Sequence, residues 1–222
     1  FLAQMSHEIR TPINAILSFS SLIKDEIKSS ATEEINESFR VIEYAGERLI
    51  RTIDLILRMS EIQTGNLEVE KTEFDLEAGV LKILCSEYKR KAAVKGLTLL
   101  YRNDAGRVIM NNDRNLILGI FDNLINNSVK YTDAGSIEII LKYIEGHPAV
   151  TVKDTGIGIS QEFIGDLFKP FRQEEQGYTR SYEGNGLGLA LVQKYSEIAN
   201  AEISVESEKN KGTAVTVIFR ED

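Results

Sequence analysis

The sequence is poor in cysteine and in long apolar runs, and each shortage excludes a class of protein. Cys85 is the one cysteine in 222 residues, so an internal disulfide is impossible. Its place in an apolar helical stretch predicts a reduced core thiol in a cytosolic protein. No apolar run approaches the ~18 residues that a membrane span needs, and no signal peptide is present. We therefore expect no direct membrane contact from this stretch of chain.

The sequence also lacks an excess of basic residues, which argues against nucleic acid as a partner. Lys and Arg number 26 against 34 Asp and Glu, giving a net charge of −8, whereas a duplex binder needs a basic face for the phosphates. The content of 42% hydrophobic and 27% charged residues is that of an ordinary globular protein. A helical pattern is already running at Phe1, so we expect this stretch to belong to a longer protein.

Residues 1–65 form the first predicted domain, which is helical. Apolar residues recur at steps of three and four over 1–28. A polar turn follows, in which Thr32 or Ser30 is expected to cap a second helix with nearly a heptad pattern. A single helical hairpin cannot bury both apolar stripes. We therefore expect a two-fold homodimer through residues 1–64, closed as a four-helix bundle.

Residues 66–222 form the second predicted domain, in which short strands and helices alternate. Helices are predicted over 76–94, 113–129 and 187–199, with a short one after a glycine-punctuated loop at 154–160. Strands are predicted over 67–71, 97–102, 136–144, 149–153, 201–206 and 213–219, with a hairpin turn at 145–148 that places His147 at the surface. The whole chain is therefore predicted as α+β, with helices on one face of a mixed, largely antiparallel sheet.

The first candidate site is the segment Ser6-His7-Glu8-Ile9-Arg10-Thr11-Pro12 on the first helix. A neutral imidazole is a good nucleophile at physiological pH, and the carboxylate of Glu8 could take the proton of His7. Pro12 removes a backbone hydrogen bond and predicts a kink beyond this pair. Thr11 stands where a zinc-protease motif needs a second histidine, which excludes that class. An exposed histidine beside a solvated glutamate is the structural alternative.

The second candidate site lies on the apolar helix predicted over 113–129. Asn123 and Asn127 are four residues apart and share a face, which would let their amide oxygens meet a hydrated Mg²⁺. Lys130 could reach phosphate oxygens from the same face. Asparagine is a poor helix former, so its repetition here asks for an explanation. Buried amides that cap neighbouring loops explain the pattern equally well.

Two glycine-rich segments complete the set. In Asp154-Thr155-Gly156-Ile157-Gly158-Ile159 the glycines let backbone approach a planar ligand, and the carboxylate can accept from an exocyclic amine; a simple turn is the alternative. Gly184-Asn185-Gly186-Leu187-Gly188-Leu189 opens a helix, whose free N–H groups suit phosphates. The second segment matches neither the dinucleotide fingerprint nor a Walker A motif.

Taken together and in this order, the motifs resemble the catalytic core of sensor histidine kinases of two-component systems. FLAQMSHEIRTPINAIL resembles the phosphoacceptor segment, DRNLILGIFDNLINNSVKYT the N-box, VKDTGIGI and GNGLGLAL the two glycine boxes, LFKPFRQ the phenylalanine box and KGTAVTVIF the last strand. The match spans essentially the whole chain. It implies a dimerisation and histidine phosphotransfer domain (1–65), then an ATP-binding α/β sandwich domain (66–222) of the gyrase, Hsp90, histidine kinase and MutL type.

The resemblance assigns the phosphoacceptor chemistry to the first domain. His7 would accept the γ-phosphoryl group of ATP, and Glu8 would be the base that activates it. Thr11 would orient a water molecule for dephosphorylating a partner. The next phosphoryl acceptor in the family is an aspartate of a response-regulator receiver domain, which we expect to dock around residues 18–23 and 49–57.

The resemblance assigns the nucleotide to the second domain. Asn127 would bind Mg²⁺, Asn123 would support the metal and phosphate site, and Asp154 would hydrogen-bond the adenine amine. Further contacts with ATP or with the lid over it are implied at Lys130, Tyr131, Gly156, Gly158, Arg180, Gly184, Gly186, Leu187, Gly188 and Thr213, with Phe168 and Phe171 as anchors of the lid. The domain would have to swing onto the bundle about a hinge at 64–67.

The sequence departs from the family pattern at a few positions, none of which is a proposed ligand. Ser128 stands where Ala or Gly is common, and Asn185 where Thr is usual. Gln173 occupies the place of an arginine that binds the γ-phosphate in some relatives, and Arg172 or Arg180 could supply that charge. We therefore expect an active enzyme.

The implied setting is the cytosolic part of a larger sensor whose full length could be anchored in a membrane. Two other classes fit part of the pattern. A clamp ATPase with the same nucleotide fold would hydrolyse ATP without forming a stable phosphoprotein. A silent dimeric scaffold would at most bind nucleotide. Neither class has a use for His7 and Glu8.

Overall fold

The computed structural model divides the chain into two compact units, Phe1–Leu67 and Glu68–Asp222. It describes residues 2–28, 32–174 and 185–220, with side chains from residue 8 onward. Within those residues, every helix is too short or too polar to cross a membrane.

The first unit consists of two helices, α1 (Leu2–Glu26) and α2 (Glu33–Gln63). Helix α1 continues through Pro12. Thr32 is the N-cap of α2, and its hydroxyl accepts a hydrogen bond of 3.3 Å from the N–H of Ile35. Of the two caps predicted from the sequence, Thr32 is therefore confirmed, while Ser30 lies outside the described residues.

The two helices pack against each other along one side. Ile13 of α1 is buried in this interface. Gly46 of α2 faces Leu17, and a Cβ on that glycine would lie 2.5 Å from a methyl carbon of the leucine. Arg10 and Asp54 form an ion pair of 2.5 Å between the helices. The hairpin is thus held by close apolar packing with an ion pair at its edge.

Both helices also carry apolar residues that the hairpin leaves exposed. Three on α1 and four on α2 are spaced seven residues apart and are between 37% and 60% exposed: Ile9, Ile16 and Ile23, then Ile35, Ile42, Leu49 and Ile56. A spacing of seven keeps each set on one face of its helix, as in a coiled-coil seam. The expectation that the hairpin cannot cover its own apolar surface is confirmed.

The second unit is a mixed sheet with helices. Its elements in chain order are β1 (Thr72–Asp75), a π-helical segment (Glu77–Leu81) leading into α3 (Lys82–Val94), β2 (Thr98–Asn103), β3 (Ile109–Asn112), α4 (Arg114–Tyr131), β4 (Ser136–Ile144), β5 (His147–Asp154), α5 (Gln161–Ile164), α6 (Gly188–Ile198), β6 (Ala201–Glu208) and β7 (Gly212–Phe219). The main sheet has the order β2-β4-β5-β7-β6. Only the β2–β4 pair among these is parallel, which confirms the predicted largely antiparallel sheet.

The core of this unit lies between the sheet and the helices α3, α4 and α6. Phe121 of α4 is fully buried and meets Phe219 of β7 edge to face, with ring centroids 6.2 Å apart. Gly119 of α4 lets the ring of Tyr195 of α6 come so close that a Cβ there would lie 2.7 Å from it. These contacts fix α4, which carries the second candidate site, against both the sheet and α6.

One strand prediction was wrong at the start of this unit, and one strand was missed. Residues 67–71 alternate in polarity, but the structure has no regular element there and β1 begins only at Thr72. Strand β3 was not predicted at all. It pairs antiparallel with β1 through four residues, with Met110 opposite Phe74. A four-residue strand with a distant partner leaves little periodicity in the sequence.

The predicted turn at 145–148 was also too long. His147 and Pro148 belong to β5, and His147 is half-buried. Proline is tolerated here because pairing of β5 with β7 starts only at Ala149, so the missing N–H of Pro148 faces no partner strand on that side. The turn itself is Glu145-Gly146, where both residues have positive φ.

Cys85, on α3, is half-buried and free. Burial raises the pKa of its thiol to about 11. The thiol therefore stays protonated and weakly nucleophilic at neutral pH.

Helix α4 begins at an N-cap that also binds a distant segment. The Oδ1 of Asp113 accepts from the N–H groups of Asn115 (2.8 Å) and Leu116 (3.2 Å), and its Oδ2 accepts from the N–H of Glu70 (2.9 Å). Asp113 is buried. Its carboxylate thus connects the start of α4 to the segment before β1.

Asp113→Ala is expected to lower the free energy of unfolding of the second unit by about 2 kcal/mol, because two capping bonds and one tertiary bond are lost at a buried position. Asp113→Asn keeps an amide oxygen for the capping bonds and should cost about half as much. Urea denaturation measures both variants. Equal losses for alanine and asparagine would contradict the capping role.

Candidate functional site

A buried carboxylate stands at the carboxyl end of β5. Asp154 is 8% exposed. Its Oδ1 accepts hydrogen bonds from the N–H groups of Gly156 (3.0 Å) and Thr213 (3.2 Å), and its Oδ2 accepts from the hydroxyl of Ser128 (2.9 Å). Donors from α4, from the loop after β5 and from β7 therefore hold one side chain.

The electrostatics of this carboxylate suit a neutral donor. Burial raises the pKa of Asp154, and the donors from Gly156, Ser128 and Thr213 lower it only in part. Among the described residues, Oδ2 accepts one hydrogen bond and Oδ1 accepts two, so Oδ2 keeps a lone pair for a further donor. A planar amine is such a donor, and it brings no charge into the pocket.

The end of α4 lies directly against the loop after β5. The carbonyl of Tyr131 accepts from the N–H of Ile157 at 3.1 Å. A Cβ on Gly156 would collide with that carbonyl and would lie 2.9 Å from the Thr132 hydroxyl oxygen. Thr132 is fully buried, and its hydroxyl has no partner among the described residues. Glycine at 156 is thus required by the close approach of α4.

Gly158 has a different reason to be glycine. Its φ is +63°, and a Cβ there would collide with the backbone of Glu208, lying 2.7 Å from the carbonyl carbon. The N–H of Asn210 donates to the carbonyl of Ile157 at 2.7 Å on the same side. The sequence suggested room for a ligand, whereas the structure shows that the loop needs this glycine to meet the β6–β7 hairpin.

One asparagine of α4, Asn123, faces the start of α6. Asn123 donates through its amide nitrogen to the carbonyl of Gly119 (2.8 Å). Its amide oxygen would be 3.1 Å from a Cβ on Gly188, the first residue of α6. Asn127 is half-buried one turn further along α4. The first turn of a helix leaves its N–H groups without helical partners, so the amide oxygen of Asn123 lies beside the N–H donors at the start of α6.

The last turn of α4 carries two further predicted ligands. The ammonium of Lys130 donates to the Tyr131 hydroxyl at 2.7 Å and lies 4.2 Å from the centre of its ring. Lys95, which was not predicted, donates to the carbonyls of Val129 (2.8 Å), Lys130 (3.1 Å) and Thr132 (3.1 Å). A cation at the C-terminal end of a helix complements its dipole. Lys95 therefore fixes the turn that carries Lys130 and Tyr131.

The phenylalanine box and the second glycine box meet through the main chain. The N–H of Phe171 donates to the carbonyl of Gly186 at 3.0 Å, and both residues have positive φ. Phe171 is 70% exposed, and the atoms that it brings closest to Gly186 belong to the backbone. Phe168 is half-buried and Leu187 is buried. The predicted ligands Arg180 and Gly184 lie outside the described residues.

The predicted phosphoacceptor residues belong to the first unit. His7 lies on α1, and its side chain is outside the described part of the structure. Glu8 and Thr11 are exposed. The predicted nucleotide ligands that the structure describes, on α4, β5, α6 and β7, all belong to the second unit.

Two residues at this site were missed by sequence reasoning. Ser128 was noted only as a small residue in place of Ala or Gly, and Lys95 was not noted. Their partners lie 26 to 37 residues away along the chain. A hydroxyl on the buried side of a helix that also bears ligand residues is the signal that could have identified Ser128.

Comparison with families supports a two-part chain. Residues 1–65 match the His Kinase A (phospho-acceptor) domain, and residues 112–222 match the family described as histidine kinase-, DNA gyrase B- and HSP90-like ATPases.

Two curated proteins illustrate the similarity. The autoinducer 2 sensor kinase/phosphatase LuxQ of Vibrio parahaemolyticus is 35% identical over 224 residues, which covers 98% of this chain and 26% of LuxQ. The histidine protein kinase DivJ of Caulobacter vibrioides is 31% identical over 221 residues, which covers 98% of this chain and 36% of DivJ. The chain thus spans only about a quarter to a third of the length of these relatives.

Two solved structures share the fold. Full-length ShkA in complex with AMPPNP superposes with a TM-score of 0.76 at 24% identity, covering 98% of this chain and 45% of ShkA. The Acinetobacter baumannii histidine kinase AdeS gives a TM-score of 0.64 at 22% identity, covering 96% of each chain. At these identities the likeness concerns the fold alone.

Proposed function

The chain belongs to the histidine kinases, with a phospho-acceptor domain ahead of an ATPase domain, and from this premise we propose that it transfers the γ-phosphoryl group of ATP to His7. The observation that carries the proposal is the convergence at Asp154 of donors from α4, the glycine loop and β7. Under this proposal residues 1–65 act as the phosphotransfer domain and 66–222 as the ATP-binding domain.

The described residues fit ATP and Mg²⁺. Asp154 offers a buried acceptor for the adenine amine, and the N-terminus of α6 offers N–H groups for phosphate oxygens. Asn127, supported by Asn123, would hold Mg²⁺ through amide oxygen, a ligand type that this cation accepts. The ion, when bound, neutralises charge on the phosphate oxygens. Lys130 would add a positive charge from the last turn of α4.

The proposed transfer is a displacement at the γ-phosphorus. The unprotonated nitrogen of the His7 imidazole forms the new N–P bond, while the bond to the bridging oxygen of ADP breaks and ADP leaves with that electron pair. The other ring nitrogen gives its proton to the carboxylate of Glu8. Phosphoryl transfer depends chiefly on positioning and charge neutralisation, which are the tasks assigned here to the ligands of the second unit.

We assign the exposed heptad stripes of α1 and α2 to a homodimer through residues 1–64. Two such hairpins related by a two-fold axis would cover the seven exposed apolar residues in a four-helix bundle. The dimer is thus the arrangement that removes this apolar surface from water.

We assign the second transfer to an aspartate of a receiver domain, which would dock around residues 18–23 and 49–57. Thr11 would then orient water in the reverse, phosphatase reaction. The relative LuxQ carries both activities in its name, and this similarity is what supports a phosphatase activity in the present chain.

Incubation with Mg²⁺ and γ-labelled ATP tests the proposal. We expect a phosphoprotein that is acid-labile and alkali-stable, and that passes its label to an added receiver domain. His7→Gln should reduce labelling to background, because the nucleophile is lost. The chain has two histidines, so His147→Gln is the matched control and should label like the parent. Removing Mg²⁺ with EDTA should also abolish labelling.

Other outcomes identify the competing classes. ATP hydrolysis without labelled protein, unchanged in His7→Gln, would contradict the kinase proposal and favour a clamp ATPase. Nucleotide binding without either reaction would favour a scaffold.

A further inference from the structure

The hydroxyl of Ser128 donates its hydrogen bond to another element of the fold. Its hydroxyl, on the buried side of α4, donates to Oδ2 of Asp154 at 2.9 Å, and both residues are less than 9% exposed. Serine inside a helix can instead donate to the carbonyl four residues back. Three hydroxyls of α2 and its C-cap do so, those of Ser38, Thr52 and Thr64. The bond of Ser128 is therefore tertiary, across 26 residues of sequence.

The hydrogen bond from Ser128 fixes the direction in which Oδ2 of Asp154 presents its remaining lone pair. Gly156 and Thr213 hold Oδ1 through backbone N–H groups. Ser128 supplies the single donor on Oδ2. Two hydrogen bonds to Oδ1 alone still allow the carboxylate to rotate about that oxygen. The third hydrogen bond, to Oδ2, prevents this rotation. Preorganised acceptors bind a ligand donor more tightly than mobile ones.

We propose that Ser128 is a positioning residue for base recognition, which orients Asp154 so that Oδ2 accepts from the exocyclic amine of adenine. This inference rests on the proposed ATP-binding function. It distinguishes Ser128 from a serine that merely fills space in the core. Ser196 on α6 is such a serine, because it is 1% exposed and its hydroxyl has no partner among the described residues.

The test compares two nucleotides that differ at the amine. ATP carries the exocyclic amine, and purine riboside 5′-triphosphate lacks it but keeps the ring, the ribose and the phosphates. Titration calorimetry gives the Kd of each nucleotide for the whole chain, for Ser128→Ala and for the control Ser196→Ala. Thermal unfolding without nucleotide checks that each variant is folded.

We expect the parent to bind ATP more tightly than the analogue. Ser128→Ala should weaken ATP binding about 5- to 10-fold, the size of one lost hydrogen bond, while the Kd of the analogue changes less than about twofold. Ser196→Ala should change neither. Ser128→Cys keeps the shape but has only a weak S–H donor, so it should show a smaller loss of the same selectivity. It also serves as the test variant if the alanine does not fold.

Several results would overturn the inference. If Ser128→Ala weakens both nucleotides equally, Ser128 acts through packing; if it weakens neither, the bond has no role in recognition. If the parent binds ATP and the analogue equally well, Asp154 does not contact the amine, although the proposed ATP-binding function remains. A parent that binds no nucleotide would remove the proposed function itself.

Discussion

Asp154→Asn is expected to weaken ATP binding by about 100-fold, close to 2.7 kcal/mol, without destabilising the fold. The amide oxygen can take the place of Oδ1 under the N–H groups of Gly156 and Thr213, but its NH₂ then faces the adenine amine, donor against donor. Turning the amide over moves the same conflict onto the two backbone N–H groups. Either orientation leaves a buried donor without an acceptor when ATP is present.

The fold should tolerate the change because burial raises the pKa of Asp154. A carboxyl whose pKa is raised in the folded state contributes stability at low pH, which is lost as the pH rises through that pKa. Asparagine does not ionise, so the variant does not lose this stability as the pH rises. Its free energy of unfolding at neutral pH should therefore equal or exceed that of the parent. For the same reason, ATP affinity of the parent should begin to fall, as the medium is acidified, at a higher pH than for an ordinary aspartate.

Titration calorimetry and thermal unfolding measure the two effects separately. Asp104→Asn is the matched control, because it removes one negative charge from an exposed aspartate of the same unit, paired with Arg102. That control should bind ATP like the parent. A variant at 154 that bound ATP normally would show that the carboxylate does not receive the base.

Gly158→Ala is expected to lower the free energy of unfolding by about 3 kcal/mol or more. A non-glycine residue at φ +63° costs about 1–2 kcal/mol. The new Cβ would also run into the backbone of Glu208, which cannot swing aside as a side chain would. Relief requires the loop to move away from the β6–β7 hairpin, which would break the bonds from Asn210 to Ile157 and from Ile159 to Ser207.

For a unit of this size the loss corresponds to a fall of about 6–12 °C in Tm. Gly146→Ala is the matched control, since its φ is +83° and nothing lies within 4 Å of the added carbon. It should show only the backbone cost, about 1 kcal/mol. Equal Tm values for the two variants would mean that the hairpin does not limit position 158.

Helices were predicted well where their apolar period was long. α2 runs for 31 residues, and its cap at Thr32 could be identified from residue type. The β1–β3 pair could not be found in this way, because each strand has four residues and Asn111-Asn112 are poor strand formers. Its stability comes from pairing between segments some 36 residues apart, which local patterns do not record.

The candidate site divides along the same line. Asp154, Gly156 and Gly188 lie in short motifs whose residue types carry their chemistry, so the sequence alone predicts them. Ser128 and Lys95 act through geometry instead. Neither residue type indicates a role by itself. The fold places the hydroxyl of Ser128 against Asp154 and the ammonium of Lys95 against the end of α4.

The three bonds to Asp154 also constrain the order of folding. They join residues separated by 2, 26 and 59 positions in the chain. The last of these forms only when β7 has paired with β5, so the carboxylate is unfit for a ligand until the sheet has assembled. A ligand that binds only the assembled state adds its binding free energy to the stability of that state. Cellular nucleotide would therefore stabilise the folded state. In particular it would stabilise the pairing of β5 with β7, the paired strands that lie farthest apart in the sequence.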